Sequence, residues 1–166
     1  MPTSTAPTAL WNWSVEAPVA APDVYRALAA VLDRPVLPLA GADPELLLDD
    51  VVLCDVWRRP GLFGMSVDCY RAPADVGETG VVAGFARLIG ERCLLPDDTA
   101  DPGRFLLITP EGVVRPVHLD VADTDDGEVL SNLRFCTASD PWCREWARCD
   151  QSRRAPDSVL PPYVVA

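Results

Sequence analysis

Two alternating runs dominate the pattern of apolar and polar positions. In Phe63–Arg71, the residues Phe63, Met65, Val67 and Cys69 point one way, while Gly64, Ser66, Asp68 and Tyr70 point the other. In Val51–Trp57 the matching apolar set is Val52, Cys54 and Val56. A period of two predicts an antiparallel hairpin with one buried face. Directly opposed residues have a constant sum, so joining the two apolar faces requires an odd sum. A loop of Pro60 to Phe63 sets Cys54 opposite Cys69 and Val56 opposite Val67. A two-residue slip keeps the faces and separates the cysteines.

The other elements follow from the same reading. Residues 1–10 are rich in Thr, Pro and Ala and predict a disordered tail. Trp11–Val15 alternates like a short strand, which Pro18 and Pro22 end. Asp23 is placed to cap a helix over 24–33 that carries Val24, Leu28, Val31 and Leu32 on one face. Val36-Leu37 is a brief strand after Pro35, and Gly41–Pro44 a turn. A second helix runs over 76–91, with Asp75 and Glu78 as a capping box and an apolar stripe of Val81, Val82, Phe85, Leu88 and Ile89. Cys93–Leu95 repeats the brief strand. Arg104–Thr109 and Val113–Leu119 then form a second hairpin about Pro110-Glu111-Gly112, with Pro116 pushing its second strand to an edge or bulge. Asp120–Glu128 reads as an acidic loop and Leu130–Thr137 as a last strand. Ser139-Asp140-Pro141 opens a C-terminal helix over 140–154, and Pro156, Pro161 and Pro162 make the end an extended strap.

A recurrence organises these pieces. Arg34, Leu37, Pro38, Ala42, Asp43 and Pro44 reappear 58 positions later as Arg92, Leu95, Pro96, Ala100, Asp101 and Pro102. This predicts two tandem helix–strand–hairpin units, 22–71 and 76–121, within a single α+β domain spanning 11–166. Each unit alone has a thin core, so the halves share one, in a pseudo-twofold arrangement. The fold class is a mainly antiparallel sheet covered on one face by helices.

Composition narrows the function. In 166 residues, 49% hydrophobic content suffices for a core, and no apolar run approaches the roughly 20 residues of a membrane span. The first residues lack the basic and apolar regions of a secretory signal, so a soluble cytoplasmic protein is expected, with its six cysteines as free thiols. The net charge is −11, and all 14 basic residues are Arg. That surface excludes nucleic acid and anionic membranes and suits a basic protein partner.

No motif dictates a chemistry. His118 and Asp120 share a side of one strand and could serve a Cys or Ser nucleophile, yet no G-x-S-x-G is present. Cys136, Cys143 and Cys149 with His118 lack the C-x2-C pairs of structural zinc sites. An EF-hand frame with Gly127 sixth places Ala122 and Thr124 where carboxylates belong. The glycines of 77–84 match no phosphate-binding loop, so neither metal nor cofactor is expected. The polar face of the first hairpin stands out instead. If Cys54 faces Cys69, then Asp55 faces Asp68, with Leu53, Trp57 and Tyr70 beside them. Together with Asp123, Asp125 and Asp126 they form a candidate partner-binding surface. The expectation is an acidic, non-enzymatic module that occludes or escorts a basic protein, as an immunity protein, antitoxin or effector chaperone does. The alternative is a small enzyme or ligand-binding domain with a site between the units, using His118 and a cysteine.

Overall fold

The computed structural model describes residues 7–98 and 102–137. The C-terminal helix expected over 140–154, the strap after it and residues 1–6 of the tail lie outside the described residues. The elements run β1 (Thr8–Val15), α1 (Ala21–Leu32), β2 (Val36–Pro38), β3 (Val52–Arg58), β4 (Met65–Pro73), α2 (Glu78–Ile89), β5 (Cys93–Pro96), β6 (Arg104–Ile108), β7 (Val114–Thr124) and β8 (Gly127–Phe135). The strands form one sheet in the order β2-β3-β4-β1-β5-β6-β7-β8. Every adjacent pair in it is antiparallel except β2–β3. The α+β class with a mainly antiparallel sheet is therefore present.

The pairings correct the expected pseudo-dyad. β3 and β6 both run parallel to β1, so the two hairpins stand in the same sense along the sheet, with β1 between them. The short strands also differ: β2 lies parallel to β3, whereas β5 is antiparallel to β6. Helix order and strand order recur along the chain, but the pairing does not.

Both helices cover the same face, over a core of Trp11, Trp13 and Val15 from β1, Val52 and Cys54 from β3, and Met65, Val67 and Cys69 from β4. Trp13 is fully buried and meets Phe85 of α2 edge to face, with ring centroids 5.3 Å apart. The helix starts differ from expectation. α1 begins at Ala21 with Pro22 in its first turn, where a fixed φ and a missing N–H cost nothing, and Asp23 pairs with Arg26 at 2.9 Å instead of capping. At α2 the cap is Gly77, without a side-chain bond, so the Asp75–Glu78 box does not form.

Glu78 accepts a backbone hydrogen bond from Asn12 of β1, and burial, with repulsion from Asp98, pushes its carboxyl up to about 7. A raised native value favours the protonated form, so this contribution is complete below the unfolded value of 4.5 and is lost as pH rises to about 7. Discounted for partial exposure, Glu78→Gln should raise stability by about 1 kcal/mol at pH 8 and leave it nearly unchanged at pH 4. Urea unfolding at the two pH values checks this; an equal change at both contradicts it.

The second face carries its own core at the β5–β8 end: Leu94, Leu107, Val117, Leu119 and Leu130, with Phe63. Phe63 departs from the predicted alternation. Its φ of 53° turns its side chain away from Met65 and onto this second cluster. The connection between β3 and β4 thereby reaches across to β8, where Leu62 N–H donates to Leu130 C=O at 2.9 Å and Gly61 bridges Leu130. The sheet is thus curled, with the tip of one hairpin docked on its far edge strand.

Two further expectations change. Asp120–Glu128 is not a loop: β7 continues to Thr124, Asp125-Asp126 make the turn, and β8 starts at Gly127. Val121 drives this, since it pairs with Leu130 and packs on the second core while the acidic residues take the wet positions. Pro116 lies on an inner strand, so of the expected edge or bulge only the second is present, as a shift in the β7–β8 register between His118 and Asp120. Cys136 N–H donates to the Pro116 carbonyl at 3.0 Å just past β8, so the missing donor of Pro116 falls where the β7–β8 pairing ends.

Candidate functional site

The first hairpin has the register in which the cysteines meet: Cys54 faces Cys69, Val56 faces Val67, and Asp55 faces Asp68. Its polar side therefore lies on the helix-free face of the sheet. Successive rows are Leu53 with Tyr70, Asp55 with Asp68 and Asn12, and Trp57 with Ser66 and Ser14.

Four of the seven predicted partner-binding residues are brought together here. Trp57 is 41% exposed, and Asp55, Asp68 and Tyr70 are half-buried around it. The Trp57 indole Nε1–H donates to Asp68 Oδ2 at 2.9 Å, and Asn12 Nδ2 donates to Asp68 Oδ1 and, at 3.2 Å, to Ser66 Oγ. Asp68 is thus fixed by its neighbours and in turn holds the indole N–H. Asp55 makes no side-chain hydrogen bond or ion pair among the described residues, so its charge is available.

Arg59 closes one end of the face. It donates to Ser14 Oγ and lies 3.8 Å from Glu128 of β8. Burial lowers its pKa from the ordinary value, against the opposing pull of Glu128 and Asp68. Beyond it Arg92 holds Glu16 through two bonds, at 2.6 and 2.5 Å, and stands 5.9 Å from the Phe63 ring centroid. The Arg92 hydrogen bonds keep Glu16 below the usual carboxylate range. At the other end, beside Leu53, opens a groove of about 380 Å³ lined by Leu39, Ala42, Pro44, Leu47, Asp49 and Arg71. Leu46 and Leu48 on the same loop are exposed.

Asp123, Asp125 and Asp126 lie elsewhere, at the tip of the β7–β8 hairpin. Asp123 pairs across with Glu128, and it is through Glu128 and Arg59 that this tip approaches the face. No side-chain hydrogen bond or ion pair joins the three to the other four among the described residues. His118 is fully buried on β7, between Arg104 of β6 and Arg134 of β8 in the register. Asp120 bonds to Asn132 at 3.0 Å and Arg134 at 3.2 Å, and these bonds lower its pKa. Cys54, Cys69 and Cys93 sit in the helix-covered core, on β3, β4 and β5. Among the described residues, no group of three or more His, Cys, Asp or Glu is placed to hold a metal ion.

Asn12, Ser14 and Arg59 are part of the site and are not singled out by the sequence. Their polar alternation in β1 is visible, but only adjacency to β4 gives it meaning. Chemically the face offers a half-exposed indole, one oriented carboxylate, one unengaged carboxylate and a groove of mixed lining that includes Asp49 and Arg71. An indole beside carboxylates is an arrangement that can accept a cationic group. No helix among the described residues is long and apolar enough to cross a membrane. Comparisons with protein families, curated proteins and solved structures find no match to this chain.

Proposed function

We propose that the protein is a cytoplasmic, non-enzymatic binding module that docks a basic protein on the helix-free face of β3–β4. It would occlude or escort that partner, as an immunity protein, antitoxin or effector chaperone does. The observation that carries this reading is the half-open Trp57, braced by Asp68 and flanked by the unengaged Asp55. Trp57 and Tyr70 serve as anchors, and Asp55 meets a cation. The acidic tip of Asp123, Asp125 and Asp126, within a net charge of −11, steers approach. We also read the 58-residue recurrence as the trace of two tandem units, with the second supporting the face that the first presents.

Affinity capture from the host lysate at low salt, followed by mass spectrometry, tests the proposal. A single stoichiometric basic protein is expected. Asp55→Arg breaks no described side-chain bond and should weaken its capture at least about tenfold, with Trp57→Ala costing a comparable factor or more. Equal capture by all three proteins, or no specific partner, rejects this reading.

A further inference from the structure

We infer that Cys54 and Cys69 form a thiol–disulfide site that staples β3 to β4 directly beneath the Asp55–Asp68 row. The backbone bonding fixes the geometry. Arg59 N–H donates to Gly64 C=O at 2.9 Å, so odd-numbered residues of β3 bond towards β4. Val52 N–H donates to Pro35 C=O at 3.0 Å, and Leu39 N–H to Cys54 C=O at 2.8 Å, so even-numbered residues bond towards β2. Cys54 and Cys69 therefore face each other as a non-hydrogen-bonded pair, the closer of the two antiparallel pair types, with Cα atoms about 4.5 Å apart. That spacing lies at the lower end of the range a disulfide spans, roughly 4.4–6.8 Å. Both side chains point into the helix-covered core, and both are fully buried free thiols. Cys93, the other cysteine of that core, is on β5, with β1 between it and β4, and so lies out of reach.

The same burial dictates when the bond forms. The thiol–thiol hydrogen bond and desolvation raise the Cys69 pKa, and Trp11 lies next to it across β1. Reaction therefore belongs to the folding or transiently opened hairpin. There, one deprotonated thiol attacks a low-molecular-weight disulfide and expels one small thiolate. The second cysteine then attacks the mixed disulfide and expels the other. The protein loses two hydrogens and the oxidant becomes two thiols. Once closed, the bond is sealed in the core and resists reduction; in a reducing compartment the pair stays as thiols. The bond does not rest on the proposed function: in the cytoplasm assigned there the face docks with both thiols reduced, and the staple forms only under oxidising conditions.

The full-length chain, unfolded in urea with reductant and refolded in a glutathione–glutathione disulfide couple, should emerge lighter by two hydrogens. Peptide mapping should join the Cys54 and Cys69 peptides, and Tm should rise by roughly 5–10 °C over the reduced protein. Cys93→Ser should keep the link and Cys69→Ser should abolish it. The same couple applied to the native protein in sub-denaturing urea should give the same link, which covers a failure to refold. Complete alkylation of all six cysteines after either treatment, or a link between other cysteines, overturns the inference.

Discussion

Trp13→Ala should lower the free energy of unfolding by about 4 kcal/mol, at the upper end of what a single truncation in a protein core costs. Trp13 is fully buried at the middle of β1, the strand that holds the two hairpins together, and it meets Phe85 edge to face. Truncation removes a large apolar side chain from a site walled by sheet and helix, where collapse into the void is restricted. The indole Nε1–H has no hydrogen-bond partner among the described residues, so no polar bond is lost with it. Trp13→Phe should therefore cost much less, about 1–2 kcal/mol, from volume alone. Urea unfolding of the two variants separates them. A loss below about 1 kcal/mol for Trp13→Ala would place the core elsewhere.

Gly61→Val should destabilise the protein by about 2–3 kcal/mol. Gly61 has φ +90°, and a Cβ there would stand 2.8 Å from both the Leu130 carbonyl oxygen and Val129 Cγ1. The carbonyl belongs to the β8 backbone and cannot step aside without breaking the contact that closes the curl. Gly41 is the control: its φ is +78° but nothing lies within 4 Å, so Gly41→Val should show only the conformational cost of about 1 kcal/mol. Hydrogen exchange at Leu62, whose N–H bonds to Leu130, should speed up in Gly61→Val and not in Gly41→Val. Equal effects of the two substitutions would mean that the docked loop contributes nothing.

The hairpin that carries the site is legible in the sequence because its information is local. Parity along Val51–Trp57 and Phe63–Arg71 assigns Asp55, Trp57, Asp68 and Tyr70 to one face, and the loop length offers the register that Cys54 and Cys69 adopt. Where the chain closes over distance, local pattern carries no signal. Nothing in Trp11–Val15 says that β1 lies between β4 and β5, so the tandem order resembles a dyad, and Asn12 and Ser14 do not stand out. Phe63 continues an apolar alternation in sequence, and a single positive φ sends it to the opposite core. In Asp120–Glu128 the wet residues of a half-buried hairpin look the same as a solvated loop; Val121 against Leu130 is the signal that tells them apart.

The most direct test of the binding reading is the association rate of the captured basic partner as a function of ionic strength. With a net charge of −11 opposing a basic surface, the rate should fall at least about tenfold between roughly 20 and 300 mM salt, and Asp55→Arg should slow it further at low salt. A rate indifferent to salt and to the charge at position 55 would contradict an acidic docking face.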